Sequence, residues 1–404
     1  MNLINKMMRN HYKSIIYGAI LPVCAAGILA GCRSTEQEMK TYSDALTAEA
    51  VVAVTNDAVQ WQINEYPNMN ARRKWKSAND VSWENAIFLT AVAEWSYLQG
   101  DTSAMQWVRR LAVLNDYRLG NGNGVSHIYH ADNLIAGMLY ADLYEQDGDE
   151  RVIVPTCARL EYIKNHPASD AMAVNREDSL YNFKKRWSWC DALYMAPQVF
   201  ARYAQLTGDP SLLAFMDREF WAATDFLYSP EWHLYWRDSN YFDKTEANGL
   251  PVFWGRGNGW VAAGLAKLIP YLPADWAPRQ RYVTHYQTMM RAIVDLQSPD
   301  GHWFVSMLDP ESYPSPEMSS TGFFCYALWW GINNGLLDKE TYLQPAVRAW
   351  QALVHAMQPT GMLGSVQAVG EKPESIRTDM TEVYGPAAMV YSAIEILKYI
   401  DAEE

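Results

Sequence analysis

One short pattern, repeated three times, constrains the fold of this chain more than any other feature of its sequence. The segments "AEWSYLQGD" from Ala93, "ADLYEQDGD" from Ala141 and "ARYAQLTGD" from Ala201 share the pattern A-x6-G-D. Each is typical of the end of an amphipathic helix, where glycine adopts a left-handed conformation and aspartate opens the next turn. The copies lie 48 and 60 residues apart, which predicts repeated pairs of helices.

Three later apolar segments with helical periodicity continue this rhythm: "GWVAAGLAKLIPYL", "FFCYALWWGINNGLLD" and "AAMVYSAIEILKYI". About six helical hairpins could form an open solenoid or close into a ring of inner and outer helices. Long connections rich in Trp and Tyr, such as residues 229–260, suit the wall of a pocket and favour the closed form. We therefore predict an all-α chain in which residues 46–404 form one six-hairpin α/α barrel.

The amino-terminal residues have the pattern of an export signal. Lys6, Arg9 and Lys13 precede an apolar run that is too short and too interrupted for a membrane span. The run ends in "LAGC", which resembles the lipobox of bacterial lipoproteins and implies that Cys32 is lipidated and becomes the mature amino terminus. We expect a signal peptide over residues 1–31, a polar tether over residues 32–45, and lipid anchoring on the periplasmic or cell-surface side of a bacterial membrane. Ordinary signal-peptidase cleavage would still give an exported protein.

Charge and cysteine usage exclude several classes of partner. The formal net charge is −13, and it becomes −16 without the three cations of residues 1–31, which contain no Asp or Glu. This charge argues against nucleic acid as a partner. Cys157, Cys190 and Cys325 are too few and too widely spaced for a disulfide framework. Neither CxxC nor HExxH spacing is present, so we expect no metal site.

The segment "RWSWCDALYMAP" places the carboxylate of Asp191 among aromatic and apolar residues. Pro197 fits the first turn of a helix, so Asp191 should lie just before that helix, at the mouth of the barrel. Trp187 and Trp189 could present ring faces to a sugar, and burial against them would favour the protonated form of Asp191. The alternative is a structural helix cap packed beneath tryptophans.

A second carboxylate occurs in "SHIYHADNLIAG", where Asp132 follows His130 and precedes another helix. Asp132 and Asp191 are 59 residues apart, close to the 60 residues that separate their repeats. This spacing predicts that both lie at equivalent ends of consecutive inner helices. Two nearby carboxylates can divide their tasks, one ionised and the other protonated and able to act as an acid. A capping role for Asp132 is equally compatible with the sequence.

The glycine-rich segment "FWGRGNGW" should bring Arg256, Asn258 and Trp260 close together. No strand precedes the glycines, so they do not indicate dinucleotide binding. The planar guanidinium of Arg256 suits recognition of a carboxylate. The same sequence is also compatible with a solvent-exposed arginine at the start of a helix. His233 in "EWHLYWRD" and Thr321 in "SSTGFF" are further candidates for the pocket wall.

The segments "RWSWCDALYMAP", "FWGRGNGW", "SSTGFF" and "TEVYG" together resemble the unsaturated glucuronyl and rhamnogalacturonyl hydrolases of glycoside hydrolase families 88 and 105. The resemblance implies a six-hairpin α/α barrel that uses no metal or organic cofactor. It also implies a substrate that is a short oligosaccharide left by polysaccharide lyases, with a 4,5-unsaturated uronic acid at its non-reducing end.

By the same resemblance, the reaction is hydration of an enol ether. Asp191 would donate a proton to C4 and assist attack of water on C5, after which a hemiketal collapses and releases the shortened sugar. Asp132 would be the second functional carboxylate, and His233, Arg256 and Trp260 would position the unsaturated ring. We expect further substrate contacts from His130, Trp189, Asn258 and Thr321.

Two other readings remain open from the sequence. The chain could be another α/α-barrel polysaccharide lyase or an ordinary inverting hydrolase. It could also be a non-catalytic glycan-binding lipoprotein, although such a protein would not need two convergent acids at Asp132 and Asp191. A lyase would create the ultraviolet absorbance of an unsaturated uronate, whereas the predicted hydrolase would remove it.

Overall fold

The computed structural model describes residues 40–67, 81–120, 125–168, 171–173 and 186–404, and these are mainly helical. Two small antiparallel pairs join β1 (Tyr228–Ser229) to β2 (Leu234–Tyr235) and β3 (Trp303–Phe304) to β4 (Pro316–Glu317). The helices are α1 Ala48–Glu65, α2 Trp83–Gln99, α3 Thr102–Leu114, α4 Val125–Tyr129, α5 Ala136–Asp147, α6 Val154–Asn165, α7 Ala192–Met195, α8 Pro197–Thr207, α9 Pro210–Leu227, α10 Gly255–Leu268, α11 Arg279–Asp295, α12 Met318–Asn333, α13 Lys339–His355 and α14 Tyr384–Glu403.

The three repeated G-D junctions each end an inner helix. Gly100, Gly148 and Gly208 have φ angles of 68°, 71° and 69°, the left-handed conformation expected for a helix stop. The aspartate that follows caps the next helical turn. Asp101 accepts hydrogen bonds from two backbone N–H groups of α3, and Asp209 accepts one from α9. The helix reversals predicted from this pattern are therefore confirmed.

Six helices form a closed inner ring, which confirms the predicted α/α barrel. In ring order they are α2, α5, α8, α10, α12 and α14, and α14 packs back against α2. Outer helices cover this ring, with α3 on α2, α9 on α8, α11 on α10, α13 on α12 and α1 on α14.

Two inner helices, α10 and α12, are buried on nearly all sides because they contact protein in every direction. All residues of α10 except Lys267 are buried, and so are the residues of α12 from Met318 to Ile332. Gly264 lets α10 approach α7 closely, since a Cβ atom there would come within 2.7 Å of the Leu193 carbonyl oxygen.

The amino ends of the inner helices lie together at one end of the ring, because an outer helix returns the chain between successive inner helices. Asp132 and Asp191 precede α5 and α8, as their spacing predicted. Trp83, Arg256 and Tyr384 lie in the first turns of α2, α10 and α14. The ring therefore gathers the predicted carboxylates and Arg256 at one mouth.

A charged cluster occupies the opposite end of the ring. Arg202 in α8 donates to Asp142 at 3.2 Å and to Glu145 at 2.6 Å, and Lys267 pairs with Glu94 at 2.8 Å. Lys267 lies in the last turn of α10, where the helix dipole favours positive charge. Burial, together with the charge of Glu94, raises the pKa of Asp142 to about 7 against the opposing effect of Arg202.

Residues Lys40–Glu404 form one compact unit. Among the described residues, no helix has the length and apolar character needed to cross a membrane. The predicted signal peptide, Cys32 and most of the predicted tether lie outside the described residues.

Candidate active site

Backbone contacts between two distant segments fix the position of Asp191. Trp189 pairs with Asp238 in an isolated antiparallel bridge, and the Cys190 N–H donates to the Arg237 carbonyl at 2.8 Å. Asp191 occupies the N-cap position of the short helix α7, but its side chain makes no capping hydrogen bond. The geometry therefore does not support the alternative in which Asp191 is only a structural cap.

The surroundings of Asp191 favour a carboxyl group that can hold a proton. Its side chain is 13% exposed, and its Oδ2 lies 3.6 Å from the Nε of Arg237. The thiol of Cys190 donates a weak hydrogen bond to the same oxygen at 3.5 Å. Burial raises the pKa of Asp191 above its usual value, against the opposing charges of Arg237 and Arg256. Such a group is suited to general acid chemistry near neutral pH.

Asp132 lies beside this site, in a single turn of 3-10 helix at Ala131–Asn133 that packs against α7. The Nδ1 of His130 accepts a hydrogen bond from the Asp132 backbone N–H at 3.3 Å and lies 3.8 Å from the Asp132 carboxylate. The His130 ring is 5.0 Å from the ring of Trp189. These contacts connect Asp132 to the segment that carries Asp191, and we call the four residues His130, Asp132, Trp189 and Asp191 the acidic pocket.

Arg256 is bound to the protein itself. Its side chain lies over the rings of Trp254 and Tyr384 at 4.4 and 4.8 Å. One terminal nitrogen donates to the Gln367 carbonyl at 3.0 Å and the other to the Ala368 carbonyl at 2.9 Å. The residue is only 1% exposed. Its positive charge lowers the pKa of Asp191, but both of its terminal nitrogens already bind the backbone of residues 367–368 and so join α10 to that segment.

Asn258 and Thr321 also satisfy buried backbone groups. Asn258 accepts from the Tyr235 N–H at 2.8 Å and donates to the Tyr235 carbonyl at 3.1 Å, which joins α10 to β2. Thr321 donates to the Glu317 carbonyl at 2.7 Å and accepts from the Trp303 N–H at 3.0 Å. Both side chains are buried, and their predicted contacts with substrate stay predictions.

The predicted aromatic platform is covered by protein. Trp187 and Trp189 are buried, and Trp187 packs on Phe200 of α8. Neither tryptophan therefore presents an open ring face to a sugar, contrary to the expectation from their alternation. The substrate contact predicted for Trp189 remains a prediction.

Two further predicted residues lie in different surroundings. Trp260 is fully buried at the centre of the inner ring, where it packs against Tyr194 and Phe323. His233 has a left-handed φ of 56°, and its Nδ1 lies 2.8 Å from the Tyr228 hydroxyl in the turn between β1 and β2. The roles predicted for Trp260 and His233 stay predictions.

Two residues at this mouth were missed by sequence reasoning. Arg237 is the cation adjacent to Asp191, yet in the sequence it is followed by Asp238 and has the pattern of an ordinary ion pair. Trp83 is half-buried and stacks on Tyr384 with ring centroids 5.6 Å apart. In the sequence, only the position of Trp83 at the start of a helix could have indicated that it lies at this mouth.

Comparison with known proteins identifies the family. The family model of Glycosyl Hydrolase Family 88 matches residues 54–400. The chain belongs to this family. It is therefore a glycoside hydrolase, as the resemblance predicted. In the described residues, no group of three or more His, Cys, Asp or Glu side chains could hold a metal ion.

Individual relatives agree with this assignment. The chain is 33% identical over 354 residues to an unsaturated 3S-rhamnoglycuronyl hydrolase from Alteromonas sp. (strain LOR), and the match covers 85% of each chain. It resembles the structure of a glycosyl hydrolase family 88 protein from Bacteroides vulgatus with a TM-score of 0.77 and 29% identity, covering 87% of this chain and 99% of that one. A solved structure named as a polysaccharide lyase also has a TM-score of 0.77, at 28% identity, covering 88% and 98%.

Proposed function

We propose that this glycoside hydrolase removes a 4,5-unsaturated uronic acid from the non-reducing end of oligosaccharides produced by polysaccharide lyases. The observation that carries the proposal is the half-buried carboxyl group of Asp191, whose raised pKa leaves it able to hold a proton. Two relatives named as unsaturated 3S-rhamnoglycuronyl hydrolases support this class of substrate, each at 33% identity.

The proposed reaction needs one proton donor and one water molecule. Asp191 gives its proton to C4 of the enol ether, the oxygen of water bonds to C5, and the carboxylate recovers a proton from that water. The resulting C5 hemiketal opens by breaking the C5–O5 ring bond, which forms a ketone at C5 and leaves a hemiacetal at C1. This hemiacetal then breaks the bond from C1 to the leaving sugar, which departs as an alcohol and leaves an open-chain keto uronate with an aldehyde at C1. Asp132 lies where it could orient the water and the ring hydroxyls, since its turn packs against the helix that follows Asp191.

The test is to incubate the full chain with lyase-generated disaccharides and follow the loss of enol-ether absorbance. The panel should include an unsaturated uronate linked to rhamnose, because the relatives' names specify a rhamnoglycuronyl group. Asp191→Asn keeps the size of the side chain but cannot deliver the proton, so turnover should fall by about 100-fold or more while substrate still binds. Asp132→Asn should also impair turnover.

Exposed Asp275 provides the matched control, and Asp275→Asn should leave the rate unchanged. Thermal unfolding of each variant controls for loss of structure. A folded Asp191→Asn variant with near wild-type turnover would show that Asp191 does not supply the proton.

A second candidate is elimination by a polysaccharide lyase, and the structural similarity to a protein of that name favours it at 28% identity. The two activities change the same signal in opposite directions. A lyase acting on an intact polysaccharide would increase absorbance, whereas the proposed hydrolase would decrease the absorbance of the unsaturated disaccharide. The same spectrophotometric assay with both substrates therefore decides between them.

We also propose that the protein is exported and anchored to a bacterial membrane by lipid on Cys32, on the evidence of the "LAGC" junction. A single acyl chain gives marginal binding, whereas the several chains of a bacterial lipoprotein give firm anchoring. Cys32→Ala should move the protein from the membrane fraction to the soluble fraction. Unchanged membrane partitioning of this variant would exclude lipid anchoring at this residue.

A further inference from the structure

The guanidinium of Arg237 is bound on one side and unsatisfied on the other. Its Nη1 donates to the buried carboxylate of Asp238 at 2.6 Å and makes a longer contact with Glu371 at 3.4 Å. Its Nε is buried and has no hydrogen-bond partner among the described residues. No hydrogen bond joins its Nη2 to a described residue either. A buried donor without a partner costs free energy, so this edge is suited to an acceptor that arrives with a ligand.

This unsatisfied edge borders the acidic pocket. The Nε of Arg237 lies 3.6 Å from the Asp191 carboxylate, beyond normal hydrogen-bond distance. The backbone holds the two residues together, since the Arg237 carbonyl accepts from the Cys190 N–H at 2.8 Å. The side chains of Arg237 and Asp191 are 12% and 13% exposed, so each keeps part of its surface open to solvent.

Arg256 is less suited to the same task. Both of its terminal nitrogens donate to backbone carbonyls, and the residue is 1% exposed. Its Nε also lacks a partner among the described residues, but one N–H group cannot make the paired contacts that a carboxylate accepts from arginine. Arg237 has two neighbouring nitrogens, Nε and Nη2, available for such a pair.

We propose that Arg237 binds the carboxylate of the unsaturated uronic acid through Nε and Nη2, and thereby selects acidic over neutral sugar rings at this mouth. The inference rests on the proposed function, because it assigns a residue to that substrate. The protein carries a net charge of −13, so a locally placed cation is needed to receive an anionic ring. Binding through Arg237 also brings the unsaturated ring next to Asp191.

The test compares two substrates that differ only in the charge of the uronate. One is a lyase-generated unsaturated disaccharide, and the other is its methyl ester. The ratio of their kcat/KM values, compared between variants, removes the intrinsic difference in their reactivity. Arg237→Lys keeps a positive charge beside Asp238 but loses the planar fork, so this ratio should fall by about 10- to 100-fold, mainly through slower reaction of the acid.

Arg377→Lys changes an exposed arginine that pairs with Asp379, so it is the matched control and should leave the ratio close to that of the wild type. A folded Arg237→Lys variant with the wild-type ratio would overturn the inference, and so would an equal fall of the ratio in Arg377→Lys. If circular dichroism shows that Arg237→Lys is unfolded, Arg237→Gln is read in the same way. A wild-type protein that hydrolyses neither substrate would refute the proposed function itself, which is a separate result.

Discussion

Replacing Arg256 by alanine should destabilise the fold. The side chain joins the start of α10 to the segment at residues 367–368 through two hydrogen bonds of 3.0 and 2.9 Å from a charged donor. It also lies over the rings of Trp254 and Tyr384. Alanine removes all of these contacts at a position that is 1% exposed. The consequence should be a loss of global stability that any change in substrate binding would only accompany.

The size of this loss follows from the hydrogen bonds and ring contacts of the Arg256 side chain. A hydrogen bond to a charged group contributes about 1.5–3 kcal/mol to the free energy of unfolding. The Gln367 carbonyl keeps a second donor, the Tyr384 hydroxyl at 2.5 Å, so the lower value applies to that bond. The Ala368 carbonyl loses its arginine donor, and the contacts with the two rings add about 1 kcal/mol. We therefore expect Arg256→Ala to lower the free energy of unfolding by about 4–5.5 kcal/mol.

Urea denaturation of the full chain measures this change. The midpoint should fall by about 1 M with little change in the slope, since the surface exposed on unfolding is nearly the same. Arg377→Ala is the matched control, because that side chain is 73% exposed and pairs with exposed Asp379, which should cost less than about 1 kcal/mol. An Arg256→Ala variant that keeps wild-type stability but has a lower affinity for the unsaturated disaccharide would show that Arg256 binds substrate and does not hold the fold.

Three further outcomes can be measured directly. The rate of enol-ether loss should decline as pH rises through the pKa of Asp191. Because burial raises this pKa, the midpoint of the decline should lie above the usual range of an aspartate. A decline only at lower pH would contradict a protonated donor. Stability should fall as pH rises from about 4 to about 7, because burial raises the folded pKa of Asp142 to about 7, above its unfolded value. Asp142→Asn should flatten this part of a denaturation series against pH. Gly208→Ala should lower the free energy of unfolding by about 1 kcal/mol in the same denaturation assay. The reason is the left-handed φ of +69°, since an added Cβ would meet no atom within 4 Å. An unchanged midpoint would show that the left-handed conformation does not require glycine.

The helical hairpins of this protein could be predicted from sequence because their signals are local. A glycine that ends a helix and an aspartate that caps the next one act within a few residues, and all three G-D junctions form as predicted. The nearly continuous apolar character of α12 and α14 likewise follows from their burial on all sides. The positions of Asp132 and Asp191 before consecutive inner helices follow from the repeat itself, and the aromatic and glycine-rich motifs identified the family.

Only the tertiary structure decided what the charged groups at the mouth do, because their partners are remote in sequence. The sequence around Arg256 is typical of a ligand-binding residue, yet both terminal nitrogens of its guanidinium donate to backbone carbonyls 111 and 112 residues further along the chain. The sequence Arg237–Asp238 is typical of a surface ion pair, yet an isolated β-bridge between Trp189 and Asp238 brings Arg237 beside Asp191. The same closure of the ring buries Trp187, Trp189 and Trp260, which on composition alone could have faced a sugar. Burial and long-range hydrogen bonding depend on which segments meet when six hairpins close, and that information is not contained in any one motif.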